Sequence, residues 1–149
     1  MTLRRAAFAI PGEITTPTGG YIYERRLLEE LRAQGRDTRY LRLGGSFPDA
    51  TPADAADAVA QLTGLEPDRV VILDGFISAT LDTAVLANLH VPTLAMVHHP
   101  LALETGLTRA RRDFLYRRER DNLAHVAHVL VPSPATAEML RTRYGVAAD

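Results

Sequence analysis

The chain has 149 residues, of which 46% are hydrophobic and 23% are charged, as is typical of one globular domain. Seventeen basic and eighteen acidic residues leave a net charge of −1, so no global field attracts nucleic acid or an anionic membrane. The absence of lysine and cysteine excludes a Walker lysine, a Schiff base, thiol catalysis and thiolate metal sites.

The amino-terminal sequence does not have the pattern of a signal peptide. Arg4 and Arg5 precede an apolar run over residues 6–10 only, which is too short for the apolar segment of such a leader. No apolar run along the chain reaches the length of a membrane span. We therefore expect a cytoplasmic protein.

Five apolar runs alternate with helical patterns, which is the signature of βαβ units on a parallel sheet. The runs predicted to be strands cover residues 5–10, 38–43, 70–73, 93–97 and 126–131. The continuous apolar run 70–73 is typical of a strand covered on both faces and predicts the centre of the sheet. The pattern predicts an α/β fold: a single Rossmann-like domain with an open parallel sheet flanked by helices.

Helices are predicted between these strands. The spacing of Tyr23, Leu27 and Leu31 indicates a first helix, after a loop over residues 11–20 and before a glycine cap at Gly35. Further helices are predicted over residues 51–62, 78–89, 108–124 and 133–145.

Ligands of open parallel sheets bind beyond the carboxyl ends of the strands, so the residues that follow each strand are the candidates for a site. Gly19 and Gly20 precede the first helix, where free N–H groups and the helix dipole favour an anion such as phosphate. The alternative is a simple turn. The distance from Gly12 to Gly19 does not fit the dinucleotide fingerprint, which disfavours a nicotinamide cofactor.

His98 and His99 end the fourth predicted strand. Adjacent strand residues point to opposite sides, so we expect at most one of them to face the crevice and no shared metal. A histidine there can hydrogen-bond a sugar hydroxyl or carry a proton. The alternative is a histidine that caps its own loop.

Carboxylates and arginines supply the other candidates. Asp74 follows the third strand, where it either binds a hydroxyl or caps the next helix, and Glu104 is open to the same two interpretations. The arginine-rich helix 108–124 has acidic residues interspersed, so a solvated face and contact with an anionic acceptor or lipid surface both remain open.

Several of these pieces, in this order, resemble the N-terminal half of family-four retaining glycosyltransferases, which have the two-domain GT-B architecture. The matching pieces are Thr18-Gly19-Gly20 followed by residues 23–31, the strand from Pro92 to His98, the element 129–133, and Tyr144-Gly145-Val146. The resemblance covers almost the whole chain.

The resemblance implies roles for several residues. Gly19 and Gly20 match the loop near the donor diphosphate, and His98 matches the histidine that faces the transferred sugar. An acceptor-side location implicates Tyr21, Asp74, His99 and Glu104. A nucleotide sugar is the expected donor substrate, with no metal or other cofactor, and the basic helix 108–124 is a candidate for peripheral contact with the inner face of the membrane.

The resemblance also implies a second, donor-binding domain beyond Asp149, without which residues 1–149 are expected to be inactive. One alternative is a stand-alone subunit that binds a sugar acceptor or a partner without catalysis. A receiver-like signalling domain is disfavoured because Pro11-Gly12 stands where an acidic pair is needed and no lysine follows the fifth strand.

Overall fold

The computed structural model describes residues 5–148 and contains a five-stranded, wholly parallel sheet. The strands are β1 Arg5–Pro11, β2 Thr38–Leu43, β3 Arg69–Asp74, β4 Thr93–Met96 and β5 His128–Leu130. Their spatial order is β2-β1-β3-β4-β5, so the apolar strand β3 lies at the centre, as predicted. The α/β class and the open parallel sheet are therefore confirmed.

Six α-helices connect and cover the strands: α1 Gly19–Ala33, α2 Pro52–Thr63, α3 Gly75–Thr80, α4 Thr83–Ala87, α5 Arg109–Leu123 and α6 Pro134–Tyr144. A short 3-10 helix, Leu101–Leu103, follows β4. Four of the helices begin with a hydroxyl side chain that accepts a hydrogen bond from the backbone N–H three residues on, which satisfies a first-turn donor. These caps are Thr18, Thr51, Thr108 and Ser133.

Strand alternation divides the core between the two faces of the sheet. In β1, Phe8 and Ile10 pack on the face that α1 covers, together with Leu28. The intervening residues Ala7 and Ala9 pack with α2, α3 and α4 on the other face. Because both faces are covered, the open edge at the carboxyl ends of the strands is left for ligands.

Two predicted elements differ from the structure. The predicted helix 78–89 is divided into α3 and α4 because Leu81 and Asp82 have extended backbone, and the Asp82 carboxylate caps α4 at the N–H of Ala84. The predicted strand 126–131 is paired in the sheet only over His128–Leu130. The overall order of elements is unaffected.

A charged network closes the amino ends of the central strands. Arg69, only 5% exposed, donates from Nε to Glu66 at 2.8 Å and from Nη1 to the Ala6 carbonyl at 2.8 Å. The Asp37 carboxylate lies 3.4 Å from the same Nη1. The buried guanidinium therefore has a partner on each side.

Within residues 5–148, no helix has the length and apolar character required to cross a membrane.

Candidate functional site

A cavity of about 300 Å³ lies at the carboxyl edge of the sheet. It is lined by Thr18, Gly20, Tyr21, Asp74, Gly75, Phe76, His98, His99 and Glu104. The register of the sheet explains this convergence, because Asp74 at the end of β3 is level with Met96 at the end of β4. Of the seven residues singled out in the sequence, only Gly19 does not line the cavity.

A larger cavity, of about 370 Å³, lies where β5 begins, between the ends of α5 and α6. Its lining includes Leu123, Ala127 and Tyr144 but none of the seven candidate site residues. Its position at the amino end of a strand is not where open α/β sheets bind their ligands. We therefore take the cavity at the carboxyl edge as the candidate site.

His98 lies two residues beyond β4, with its side chain 27% exposed. The ring of Tyr23 meets it edge-on, with 5.5 Å between centroids. Its Nε2 lies 3.4 Å from Oε1 of Glu24. Burial lowers the pKa of His98 below its ordinary value, and the charge of Asp74 acts in the opposite direction. The ring is therefore neutral around pH 7.

His99 also lines the cavity, so both histidines border the site, and the expectation that at most one of them faces the crevice stays a prediction. The chain has already left β4 at this point, and strict strand alternation no longer applies. His99 is half exposed and turns towards the loop that follows, where its Nε2 lies 4.0 Å from Glu104 Oε1. Both partners are exposed, and a pair of this kind adds little stability.

Asp74 both caps a helix and lines the cavity. Its Oδ1 accepts a hydrogen bond of 2.7 Å from the N–H of Phe76 at the start of α3. Burial raises the pKa of Asp74 to about 8, and the charge of Glu24 adds to the effect. The capping interpretation is confirmed, and because Asp74 also lines the cavity, hydroxyl binding stays a prediction.

Glu24 is the residue of the site that the sequence reasoning missed. It is fully buried on α1, and burial raises its pKa to about 7. Neither carboxylate oxygen accepts a hydrogen bond from an N–H or hydroxyl group in the described part of the chain, but the Asp74 carboxyl group lies close enough to share a proton with Glu24. The available signal was its position three and four residues before Leu27 and Leu28, which places a carboxylate on the apolar stripe of the helix.

The family model described as Glycosyltransferase Family 4 matches residues 14–149, a stretch that contains every residue of the cavity. The chain belongs to Glycosyltransferase Family 4. A comparison with curated proteins gives no match. The match confirms the family seen in the sequence and supports glycosyltransferase activity in general.

Gly19 and Gly20 open helix α1 of this glycosyltransferase domain, so the prediction of a loop at these positions is wrong. The helix starts earlier than predicted because Thr18 caps it, its Oγ1 accepting from the N–H of Tyr21. The N–H groups of Gly19 and Gly20 are first-turn donors, which no carbonyl of the helix can reach. An ideal Cβ on Gly20 would lie 3.6 Å from Cδ2 of His98, whereas one on Gly19 would have no neighbour within 4 Å.

Two tyrosines fix the loop that leads into α1. The hydroxyl of Tyr21 donates to the Pro11 carbonyl at 2.8 Å, and the hydroxyl of Tyr40 donates to the Gly12 carbonyl at 2.9 Å. Burial raises the pKa of Tyr21 to about 12. Because its hydroxyl is engaged with the backbone, Tyr21 offers a ligand its ring rather than a free donor.

The arginine-rich helix α5 is partly paired within the domain. Arg111 lies 2.6 Å from Asp49, and Arg118 lies 3.9 Å from Asp82. Both guanidinium groups also stack over the exposed ring of Phe114, at 5.4 and 5.3 Å from its centroid. Helix α5 thus combines locally paired arginines with an exposed aromatic ring.

Residues 5–148 contain no group of three or more His, Asp or Glu side chains arranged to hold a metal ion. The expectation of metal-independent chemistry remains a prediction.

Proposed function

We propose that this chain is the acceptor-side domain of a retaining glycosyltransferase that takes its sugar from a nucleotide-sugar donor. The observation that carries the proposal is the cavity at the carboxyl edge, where His98 and Asp74 meet in front of the buried Glu24. A sugar presents hydroxyl groups, and this cavity places both hydrogen-bond acceptors and a neutral imidazole along one wall.

The first turn of α1 supports a position for the donor diphosphate. Gly19 and Gly20 leave their N–H groups free, and α1 is a helix of 15 residues whose dipole favours an anion at this end. That effect is worth about 0.3–1 kcal/mol at an exposed helix end. A diphosphate bound there would lie beside Gly20 and therefore beside the His98 ring.

The acceptor occupies the other side of the cavity in this proposal. Asp74, His99 and Glu104 line it with carboxylates and an imidazole. Asp74 accepts the capping hydrogen bond at Oδ1, lies close enough to Glu24 to share a proton, and meets a ligand hydroxyl at the cavity wall in this proposal. His99 and Glu104 are both exposed enough to reorient around a ligand.

Efficient transfer requires a second, donor-binding domain that closes over this cavity. Holding donor and acceptor in a closed cleft is worth roughly 7–11 kcal/mol of the barrier, and half a cleft forfeits most of it. We therefore expect residues 1–149 to fold and to bind sugar ligands, but to transfer sugar slowly or not at all.

A donor panel tests the proposal. The purified chain is incubated with a series of nucleotide sugars and glycosyl acceptors, and both binding and product formation are measured, with His98→Ala as the matched variant. The proposal is supported if the purified chain binds these ligands without appreciable transfer and if His98→Ala weakens the binding. Robust transfer by the 149-residue chain would show that the donor chemistry does not need a second domain, and the absence of any sugar or nucleotide binding would refute the assignment of the cavity.

Peripheral membrane contact is a further part of this proposal. Among the described residues, ion pairs engage Arg111, Arg118 and Arg120 of α5 but not Arg109 or Arg112. Unpaired arginines beside an exposed Phe114 are a basis for binding an anionic bilayer. Sedimentation with phosphatidylglycerol vesicles, and not with phosphatidylcholine vesicles, is the expected result; equal recovery with both would refute it.

A further inference from the structure

Three buried polar atoms beside the cavity have no hydrogen-bond partner among residues 5–148: Oε1 and Oε2 of Glu24, and Nε2 of His98. Buried polar atoms are nearly always paired, so each unpaired one requires an explanation. Here they lie together, with His98 Nε2 3.4 Å from Glu24 Oε1. The explanation therefore concerns the pair rather than either residue alone.

Glu24 has no structural task that would account for its burial. Glu119, the other fully buried glutamate, accepts a hydrogen bond of 3.1 Å from the N–H of Leu101 and so fixes the start of the 3-10 helix. Glu24 fixes no helix end or loop in the described chain. A leucine in its place would continue the apolar stripe of α1 through Leu28.

One face of α1 surrounds the His98 ring. Gly20, Tyr23 and Glu24 have the i, i+3, i+4 spacing that brings side chains together on a helix. Gly20 leaves space beside Cδ2 and Nε2 of the ring, Tyr23 meets it edge-on, and Glu24 lies against Nε2. None of the hydrogen bonds in the described chain uses Nδ1, the other ring nitrogen.

We propose that Glu24 is the positioning residue of His98: its carboxylate accepts the Nε2–H, which fixes the ring and leaves Nδ1 to accept a hydrogen bond from a sugar hydroxyl. The identity of that ligand rests on the proposed function, whereas the pairing of Glu24 with His98 does not. A carboxylate beside one ring nitrogen of a histidine favours the tautomer with the proton on that nitrogen, and here Glu24 lies beside Nε2.

Three further titratable groups face this pair: Tyr21 on α1, Tyr40 on β2 and Asp74 at the end of β3. Burial raises the pKa of Glu24 to about 7 and that of Asp74 to about 8, while it lowers the pKa of His98. Above about pH 8 an ionised Glu24 therefore faces a neutral imidazole, which is the state that the pairing requires. The two carboxyl groups interact, so they titrate as a pair.

Nitrogen NMR of the 149-residue chain, labelled in its five histidines, tests the proposal. Long-range proton–nitrogen correlations report which ring nitrogen carries the proton, and His98→Gln assigns the His98 signals. Above about pH 8 we expect Nε2 protonated and Nδ1 unprotonated. We also expect the ring signals to show a second inflection at pH 7 to 8, from the neighbouring carboxyl groups.

Glu24→Gln supplies the decisive variant, with Glu29→Gln, an exposed glutamate of the same helix, as its matched control. We expect Glu24→Gln to move the second inflection to lower pH, because Asp74 loses the repulsion of Glu24, and to change the nitrogen shifts of His98. The control should reproduce the wild-type curve. Identical His98 curves in wild type and Glu24→Gln would overturn the proposal.

The wild-type spectrum tests the proposal even if no variant folds. A His98 ring protonated at Nδ1 above about pH 8 would overturn it. Adding nucleotide sugars and acceptors to the same sample separates the two claims. A Nδ1 shift on addition supports both. If Glu24→Gln changes the His98 signals but no ligand shifts Nδ1, the proposed function is refuted and the pairing of Glu24 with His98 stands.

Discussion

Arg69 at the amino ends of the strands and Asp74 at the carboxyl ends are equally buried, each 5% exposed, but their surroundings differ. Arg69 has partners in Glu66 and Asp37 and in a backbone carbonyl. Asp74 has one capping bond and otherwise faces Glu24, a second carboxyl group that opposes its ionisation.

We interpret the difference as that between a structural cluster and the candidate functional site. Around Arg69, opposite charges are matched, so the cluster holds the amino ends of the strands together. At the carboxyl edge two buried carboxyl groups lie beside each other and beside a neutral imidazole, with no cation to balance their charge, which costs stability when they ionise. Arrangements of this kind are typical of sites where activity is favoured over stability.

The largest effect is expected at His98. In a transfer-competent form of the protein, His98→Ala should lower the transfer rate by about 10²–10³, as the loss of one preorganised hydrogen-bonding group does. His99→Ala should lower it less, because His99 is half exposed. Transfer rates and melting temperatures of the two variants provide the measurement. An active His98→Ala protein with an inactive His99→Ala protein would reverse the assignment.

Arg69→Met tests the structural end of the sheet. Removing hydrogen bonds to Glu66 and Ala6 from a buried site should lower the free energy of unfolding by about 1.5–3 kcal/mol, measured in urea. The matched control is Arg39→Met, since Arg39 is exposed and 3.9 Å from Glu66, and it should change stability by less than about 0.5 kcal/mol. Ligand binding should be unaffected in both. Equal stability of the two variants would show that the cluster around Arg69 does not have the structural role assigned to it.

Whereas Arg69→Met should lower the free energy of unfolding, Glu24→Gln should raise it, by an amount that depends on pH. The pKa of Glu24 is about 7 in the folded chain, above its ordinary value of 4.5, so the folded state binds more protons between these values and stability falls as pH rises through them. Glu24→Gln removes this loss and should be more stable than wild type by about 1–3 kcal/mol at pH 8.

Near pH 4 the gain of Glu24→Gln should vanish, because Glu24 is then protonated in both folded and unfolded chains. Melting temperatures across this range provide the measurement. Glu29→Gln, on the exposed side of α1, should show no such dependence. A Glu24→Gln protein that is less stable than wild type at pH 8 would contradict this expectation and show that the ionised carboxylate stabilises the fold.

The smallest effect is expected from the two glycines of the first turn. Gly20→Ala places a methyl group 3.6 Å from the His98 ring, while Gly19→Ala meets nothing within 4 Å. Both should be as stable as wild type or gain up to about 1 kcal/mol, since alanine loses less backbone entropy. Only Gly20→Ala should weaken ligand binding, which calorimetry can measure. Equal ligand binding by both variants would show that the ligand does not bind beside His98.

Much of the fold could be predicted from local pattern. The run Val70-Val71-Ile72-Leu73 has no polar residue, which is typical of a strand covered on both faces, and this pattern predicted the centre of the sheet correctly. The edge strand β5 is short and half buried, so its pattern carried less information about its ends. The break between α3 and α4 depends on extended backbone at Leu81 and Asp82, which periodicity does not reveal.

The site was less predictable because it depends on distant residues meeting. Strand-end position alone identified Asp74 and His98 as candidates. Glu24 is mid-helix, and glutamate on a helix is ordinarily solvated, so its burial became evident only when α1 was packed against the His98 ring. The helical position of Gly19 and Gly20 depends on the cap at Thr18, a residue that is equally common in loops.

A ligand titration followed by backbone NMR tests most directly whether the cavity at the carboxyl edge is the glycosyl-transfer site. The 149-residue chain is titrated with nucleotide sugars and with glycosyl acceptors, and shifts are mapped onto the structure. We predict that the largest shifts cluster at Gly20, Asp74 and His98, which line one cavity. Shifts confined to the amino edge around Arg69, or to the cavity beside Tyr144, would contradict the account.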